Sequence, residues 1–524
     1  MSINHITLRK YAEENIIINN SISIIILGIT DTERIFIRIN INNITYYENL
    51  FEFTQNNADY AFLFLYNKII KNNYLLQYTA DSQILFFILN IENNRLSLFL
   101  KNNLNKLIII NEYIMKSLYN FNKKYNTNIN NSQIINLSCQ FIHDIAFKDL
   151  SIIKLNITTL DLSNNKITDI SPLNSDNFKN LQRLYLSDNE IEDLKCINNL
   201  KLDYLYLLKL KCNKIVDITP LGNVSFKQIQ ILDLSQNKIS KIDALQNIEF
   251  DNLNSLDLSF NIIYDISSLE KTEFSKLREL NLSHNNINDV SIFEKVNLES
   301  IQILNLSYNK IDKIHIKKKF YYRQLKSLFI NDNQIKEIII DGRIQLNKLK
   351  TINLSHNLLE NISIDKYPKI NKLTELYLSF NKLKDISFLD DAELKDLRRI
   401  YLNNNDLEDI NIFSELVSEK ISYLNLSNNN IIEIDVLKKM CIKNLYYLDL
   451  SNNKIKSFKT FENLFFPKLK YLIMNNNLID FNLQKNIDIL DNLPNKEENR
   501  PIYFYNNNNS IRLIYHMMVL DLNE

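Results

Sequence analysis

The chain has 524 residues, of which 45% are hydrophobic and 23% charged, a composition typical of a folded protein longer than one hydrophobic core supports. Lysine plus arginine equals aspartate plus glutamate at 61 each, which argues against nucleic acid or an anionic membrane as a general partner. The four cysteines suit neither a disulfide framework nor a zinc site. Neither a secretory signal nor a membrane-spanning run is recognised. We therefore predict a cytoplasmic protein without a cofactor.

Residues 1–128 are predicted to form a small α+β domain. Short runs rich in β-branched and aromatic residues indicate strands at 21–29, 34–41, 60–70, 84–91 and 95–100. A helical pattern follows at 111–125. The region contains one histidine, His5, and no cysteine, which disfavours an enzyme active site there.

A 24-residue repeat occupies the predicted central domain, residues 129–490. Its marker is an asparagine that recurs 14 times at exact 24-residue intervals. Leucine lies three residues before each marker asparagine, except where Ile330 and Met474 replace it, and Ile or Leu lies two residues after each one. The marker residues are Asn165, Asn189, Asn213, Asn237, Asn261, Asn285, Asn309, Asn333, Asn357, Asn381, Asn405, Asn429, Asn453 and Asn477. A degenerate first copy places Gln140 one residue out of this period, and residues 491–524 are predicted to cap the other end.

The pattern LxxLxLSxNxIxDI resembles the leucine-rich repeat family over about two-thirds of the chain. It is most similar to short-repeat types, such as internalin-like repeats and those of a phosphatase-regulating subunit. The resemblance implies an α/β solenoid, a leucine-rich-repeat horseshoe with a parallel β-sheet on its concave face, preceded by the small α+β domain.

The residues support this architecture by themselves. Alternating leucines point to one side of a short strand, and an inward-facing asparagine amide satisfies backbone groups of the following turn, so that stacked copies form an asparagine ladder. An aromatic residue recurs eleven positions before several marker asparagines and predicts a buried spine under the convex side. Its members are Phe178, Phe226, Phe250, Phe274, Tyr322 and Phe466.

Outward positions of the strands are the candidate binding surface, because repeat proteins commonly bind on this face. Aromatic residues concentrate there in repeats five to eleven, and exposed aromatics are typical anchors of protein interfaces. The predicted partner-binding residues are Phe260, His284, Tyr308, Phe329, His356, Tyr377, Phe380 and Tyr401. The alternative is that these rings only stack on adjacent repeats or reflect the general enrichment in Phe and Tyr. A second row, Tyr423, Tyr447 and Tyr471, fits a structural or a functional role equally well.

No catalytic or metal site is predicted. Asp233 and Asp257 are expected about 5 Å apart on neighbouring strands, but a solvated surface pair is the favoured interpretation. His284 and His356 are three repeats apart, about 15 Å, and cannot share a metal ion. The sequence shows neither a phosphate-binding glycine loop nor an HExxH motif.

These observations favour a non-enzymatic scaffold that captures a partner protein on the concave face, with residues 1–128 adding a second contact or effector function. One alternative is a regulatory subunit of a protein phosphatase. Another makes the repeats a substrate selector for an activity in the N-terminal region. A third is extracellular adhesion, which the lack of a recognised signal disfavours.

Overall fold

The computed structural model describes most of the repeat region and part of the remainder. The described residues are 8–18, 21–30, 34–41, 44–52, 86–92, 95–101, 107–110, 112–127, 129, 133–153, 155–200, 202–316, 322–340, 346–364, 370–392, 394–416, 419–440, 443–462, 464, 466–480, 484–491, 502–505 and 511–514. The chain divides into two compact units, 1–133 with 148–155 and 134–147 with 156–524. The predicted domain boundaries near 128 and 491 stay predictions.

The first unit contains two antiparallel sheets and a helix. Its strands are β1 (Leu8–Ile18), β2 (Ser21–Thr30), β3 (Arg34–Ile41), β4 (Ile44–Glu52), β5 (Phe86–Glu92), β6 (Arg95–Lys101) and β7 (Leu107–Ile110). Strands β1–β4 pair in chain order, as do β5–β7, and helix α1 spans Glu112–Tyr125. The predicted α+β character is confirmed. The prediction missed β1, β4 and β7, and the predicted strand at 60–70 lies outside the described residues.

The second unit is the predicted solenoid, with one short parallel strand per repeat. These strands are β8 (Ile134–Asn136), β9 (Thr159–Asp161), β10 (Arg183–Tyr185), β11 (Leu207–Lys209), β12 (Ile231–Asp233), β13 (Ser255–Asp257), β14 (Glu279–Asn281), β15 (Ile303–Asn305), β17 (Ser327–Phe329), β19 (Thr351–Asn353), β21 (Glu375–Tyr377), β22 (Arg399–Tyr401), β23 (Tyr423–Asn425), β24 (Tyr447–Asp449) and β25 (Tyr471–Ile473). Each pairs with the next, and Leu184 facing Leu208 in β10 and β11 typifies the 24-residue register. The predicted fold class is confirmed.

The first copy enters the sheet in the shifted register that Gln140 predicts. Ile135 pairs with Leu160, an offset of 25 residues where later copies have 24. The backbone N–H of Ile142, two residues after Gln140, donates to Oδ1 of Asn165 at 2.8 Å, so Gln140 takes the marker position while its side chain stays exposed. This extra residue is accommodated where the copy lacks an asparagine of its own.

The marker asparagines join every repeat to the one before it. In the central example, Nδ2 of Asn309 donates to the carbonyls of Leu282 at 3.0 Å and Leu306 at 3.1 Å. Its Oδ1 accepts the backbone N–H of Ile287 at 3.0 Å. The same three contacts recur from Asn165 to Asn477, and each amide thereby satisfies backbone groups of two turns.

Most repeats return along the back of the solenoid through short 3₁₀ helices. These helices are Ser171–Asn174, Asp176–Phe178, Lys195–Asn199, Thr219–Asn223, Asp243–Asn247, Ser267–Lys271, Ser291–Glu294, Ser387–Ala392, Asn411–Ser414, Asp435–Lys438 and Lys459–Phe461. In several copies an aspartate just before the helix accepts the N–H two residues on; for Asp289 and Ser291 the distance is 2.8 Å.

Acid should weaken this turn. The hydrogen bonds from Ser291 to the Asp289 carboxylate lower the pKa of Asp289. A depressed pKa stabilises the fold above the unfolded-state value, about 4, and this contribution is lost as pH falls through the folded-state pKa. We expect Asp289→Asn to flatten the acid dependence of unfolding in urea, and Asp289→Ala to cost about 1 kcal/mol at neutral pH. Asp312→Asn is the control, and an equal flattening by that change would contradict the assignment.

Three consecutive repeats use strands at the back instead. β16 (Lys313–Ile316), β18 (Glu337–Ile340) and β20 (Asn361–Ile364) form a second parallel sheet. In the 3₁₀ repeats, buried apolar residues fall five and eight positions after the asparagine, as Ile266 and Leu269 do. The strand repeats instead have isoleucine at five and seven, such as Ile338 and Ile340. A two-residue period favours a strand, and the prediction missed this change.

The aromatic spine lies in the core as predicted. All six members are at most 5% exposed, and the rings of Phe250 and Phe274 stack with centroids 5.9 Å apart. Tyr322 also donates its hydroxyl to the carbonyl of Phe293 at 3.0 Å, which satisfies the buried phenol.

Two further helices and a hairpin remain among the described elements, and the first of these helices has residues in both units. The helices are α2 (Asp144–Ile152) and α3 (Gln484–Asp491). Strand β26 (Ile502–Tyr505) pairs in parallel with β25, and β27 (Ile511–Ile514) pairs with β26 in antiparallel fashion. The hairpin extends the sheet beyond the last repeat strand.

Candidate functional site: the aromatic strand face

The residue before each marker asparagine has a left-handed backbone. Its φ lies between 53° and 58° in all fourteen repeats. These residues are Asn164, Asp188, Cys212, Gln236, Phe260, His284, Tyr308, Asp332, His356, Phe380, Asn404, Asn428, Asn452 and Asn476. Asparagine and aspartate tolerate this conformation, whereas other L-residues pay about 1–2 kcal/mol. The seven Asn and Asp residues are therefore well suited to this left-handed conformation, whereas Phe260, Tyr308 and Phe380 adopt it at an energetic cost.

Three of these left-handed residues form one continuous aromatic stack, composed of Phe260, His284 and Tyr308. The ring of His284 lies 3.9 Å from Phe260 and 4.1 Å from Tyr308, with interplanar angles of 11° and 9°. Phe260 and Tyr308 are each 47% exposed. Because the faces cover one another, the stack presents mainly ring edges to solvent.

Asp332 continues this column and sets the electrostatics at the end of the stack. Its negative charge and the hydrogen bond with Tyr308 raise the pKa of Tyr308. Burial lowers the pKa of His284, while the charge of Asp332 opposes that effect. His284 is therefore biased towards its neutral form between two neutral rings.

His356 and Phe380 form a second pair in the same column. Their rings are parallel within 12° at 4.2 Å, and Phe380 is 45% exposed. Phe329 lies on the same sheet face, half-buried, and pairs with Asn305 and Asn353 on the flanking strands. The structure thus divides the predicted residues of this face into separate clusters.

The remaining predicted residues join the second tyrosine row. Tyr377 stacks on Tyr401 at 4.5 Å, Tyr401 contacts Tyr423 at 4.7 Å, and Tyr423 stacks on Tyr447 at 4.2 Å. We call these four residues the tyrosine run. Tyr471 lies further off, 6.1 Å from Tyr447. The connection is diagonal, because Tyr401 lies four residues before its asparagine and Tyr423 six.

Two of the four phenols in this run donate to carboxylates. The Tyr377 hydroxyl donates to Glu375 at 3.1 Å; burial, then the charge of Glu375, raises the pKa of Tyr377 to about 12. Tyr447 donates to Asp449 at 3.3 Å, and burial raises the pKa of that carboxyl. These phenols remain protonated at neutral pH and serve as hydrogen-bonding aromatic surface.

Two further exposed apolar residues, which the sequence alone did not single out, follow the first member of the aromatic stack in the chain. Ile262 and Tyr264, which follow Phe260 at alternate positions, are 50% and 52% exposed. Lysine or another polar residue occupies the first of these positions in most repeats, which is the signal that would have revealed them. Exposed apolar patches mark interaction sites, and Ile262 and Tyr264 add exposed apolar side chains to this repeat.

The aspartate pair has a structural explanation. Asp233 and Asp257 face each other on β12 and β13. Each accepts the serine hydroxyl two residues on, Ser235 or Ser259, at 2.6 Å, and also that serine's backbone N–H. These bonds close the turn at the end of the strand and occupy the carboxylates. Throughout the described residues, no group of His, Cys, Asp and Glu is arranged to hold a metal ion.

No helix among the described residues is long and apolar enough to cross a bilayer.

Family models for leucine-rich repeats match five stretches of the chain. The model described as Leucine Rich repeats (2 copies) matches residues 155–201 and 371–415, and a Leucine rich repeat model matches 323–383. Single-repeat models match 275–293 and 444–464. No curated protein sequence gives a significant match.

Solved structures with a similar chain course include one bacterial and two plant proteins. An internalin (inlF) from Listeria monocytogenes is 24% identical with a TM-score of 0.48, over 67% of this chain and 92% of that chain. The plant peptide hormone receptor RGFR1, in complex with RGF2, is 20% identical with a TM-score of 0.48, over 64% and 54%. The Arabidopsis receptor kinase HAESA ectodomain, in complex with an extended IDA peptide hormone, is 19% identical with a TM-score of 0.39, over 63% and 64%. The match spans less than two thirds of either plant receptor.

The family matches fall on the same 24-residue units whose strands and asparagine ladder the structure shows. The chain is a leucine-rich repeat protein.

Proposed function

We propose that this protein is a non-enzymatic scaffold that captures a partner protein on the sheet face of repeats five to eleven. Leucine-rich repeat proteins typically mediate protein–protein interactions. The observation that carries the proposal is the exposure of Phe260 and Tyr308 on a left-handed backbone that disfavours them. Residues held against their conformational preference cluster at binding sites, where they serve recognition.

Energetic magnitudes favour binding over stability as the reason for these rings. Two stacking contacts in the aromatic stack contribute about 1–3 kcal/mol in total. The left-handed conformation costs about 1–2 kcal/mol at each of Phe260 and Tyr308, and less at His284. The two terms nearly cancel, so the stack supplies little net folding free energy. Large aromatics with exposed edges are instead the side chains that dominate interface affinity.

The proposal includes a cytoplasmic location and a second contact through residues 1–128. Cys139, Cys196 and Cys212 are all unpaired, and burial raises the pKa of Cys196 to about 11, which keeps that thiol protonated and unreactive. Unpaired thiols suit a reducing compartment. Within the described residues, no feature favours phosphatase regulation or substrate selection over simple capture.

Truncation of the face tests the proposal. Tyr308→Ala, Phe329→Ala and Tyr377→Ala together should reduce recovery of the co-purifying partner by at least tenfold, because truncating an interface anchor costs more than about 1 kcal/mol. Tyr204→Ala is the control, since Tyr204 is 59% exposed but lies outside these clusters. Equal partner recovery by the triple variant and the control, in pull-downs analysed by mass spectrometry, would exclude this face.

A further inference from the structure

Cations gather along one side of the sheet, although the whole chain is neutral. The positions seven and nine residues before the marker asparagines hold ten lysines and arginines but one acidic residue, Asp396. We call six of them the basic margin: Lys276, Arg278, Lys326, Lys348, Lys350 and Arg398. All six are exposed. The margin covers five strand spacings, about 24 Å.

Among the described residues, no carboxylate neutralises the charge of the margin through an ion pair. Lys276, Lys326 and Lys348 donate to amide oxygens of Asn252, Gln302 and Gln324, respectively, at 2.6–2.8 Å. Neutral amides orient these ammonium groups without cancelling their charge. Within the described part of the chain, none of the six forms an ion pair.

Two neighbouring carboxylates, Glu375 and Asp396, form ion pairs with residues outside the margin. Glu375 pairs with Arg399 at 2.7 Å, and Asp396 lies between Lys372, at 3.2 Å, and Lys420. The margin residues therefore create a local positive potential on a molecule that has no net charge.

Aromatic side chains lie on strands that directly follow margin residues. Phe329 and Tyr401 follow Lys326 and Arg398 by three residues, and Tyr377 lies on the strand between those of Lys350 and Arg398. Three residues of a strand span about 10 Å, the width of one extended chain. A single extended segment lying across these strands would contact both rows.

We infer that the partner presents an acidic, extended segment with interspersed apolar side chains, whose carboxylates contact the basic margin and whose apolar groups contact Phe329 and the tyrosine run. This deepens the proposed function and rests on it. Charge complementarity of this kind sets partner choice and association rate.

The ring geometry favours a peptide over single-stranded nucleic acid. Nucleic acid binding uses free aromatic faces on which bases stack, together with a basic domain. Here the parallel rings of Tyr377 and Tyr401, at 4.5 Å, cover each other's faces, and the chain is neutral. Ring edges and hydroxyls remain for amino-acid side chains.

The test measures fluorescence anisotropy of the full chain with labelled synthetic probes. The main probe is a peptide of about ten residues, long enough to span the margin, in which glutamates alternate with serines and two central leucines. Its twin carries glutamine for glutamate, and the other probes are oligothymidine and phosphatidylserine vesicles. We expect the acidic peptide to bind at least tenfold more tightly than its twin, with an affinity that falls as salt is added.

Matched charge reversals locate the site. Lys326→Glu, Lys350→Glu and Arg398→Glu together should weaken binding of the acidic peptide at least tenfold. The control, Lys310→Glu, Lys382→Glu and Lys454→Glu, changes the net charge equally at exposed residues just after the marker asparagines. Both variants are first checked for wild-type circular dichroism and melting temperature.

Three outcomes would overturn the inference: equal binding of the glutamine twin, equal losses in the two charge-reversal variants, or tighter binding of oligothymidine or vesicles. Partner pull-downs separate this failure from that of the proposed function. If the margin variant keeps the partner while Tyr308→Ala, Phe329→Ala and Tyr377→Ala lose it, the face binds but the acidic class is wrong. If both keep it, the proposed function also fails.

Discussion

Replacing Asn309 by leucine is expected to lower the free energy of unfolding by about 3 kcal/mol. The substitution removes the acceptor for the Ile287 N–H and the donor for the carbonyls of Leu282 and Leu306. Each unsatisfied buried backbone group costs about 1–3 kcal/mol, and leucine offers neither donor nor acceptor. Urea unfolding followed by circular dichroism measures the loss.

The damage should be local, because each repeat contacts only its neighbours. Hydrogen exchange should accelerate first at the Ile287 and Ile311 amides, which belong to the two turns next to Asn309. Asn286→Leu is the matched control, since Asn286 is half-exposed and outside the ladder. An unchanged melting temperature for Asn309→Leu, or an equal drop for the control, would contradict a stabilising role for the ladder.

Replacing Phe260, His284 and Tyr308 together by asparagine should abolish partner binding, with a loss above about thirtyfold, while leaving stability within about 1 kcal/mol of wild type. Asparagine relieves the left-handed strain, as Asn404 and Asn428 do in later repeats, and this offsets the lost ring stacking. Titration calorimetry with the purified partner and urea unfolding measure the two quantities.

The combination of the two results is diagnostic. A purely structural stack predicts a stability loss without a binding loss, the reverse of the expected result. Ile231→Asn provides a control on the same sheet, because Ile231 is half-buried and lies outside the aromatic clusters. It should leave affinity unchanged whatever it does to stability.

Much of the solenoid is predictable because the residues that determine its fold act locally and recur in every repeat. The marker asparagine, the alternating leucines and the spine position of Phe250 each act within one repeat and its neighbour. Even the 25-residue first step follows from the placement of Gln140. The two-residue spacing of Ile338 and Ile340 also indicates the strands at the back of the solenoid. This spacing was missed because it occurs in only three repeats of an otherwise regular 24-residue pattern.

The period, the buried positions and the set of outward aromatics can all be read from the amino-acid sequence. Three features required the three-dimensional structure: the left-handed backbone of Phe260 and Tyr308, the diagonal contact between Tyr401 and Tyr423, and the amide oxygens that accept from three margin lysines. The physical reason is that these properties depend on φ and on side-chain contacts between repeats. A one-dimensional period specifies which residue faces outward, but not which ring or charge it meets there.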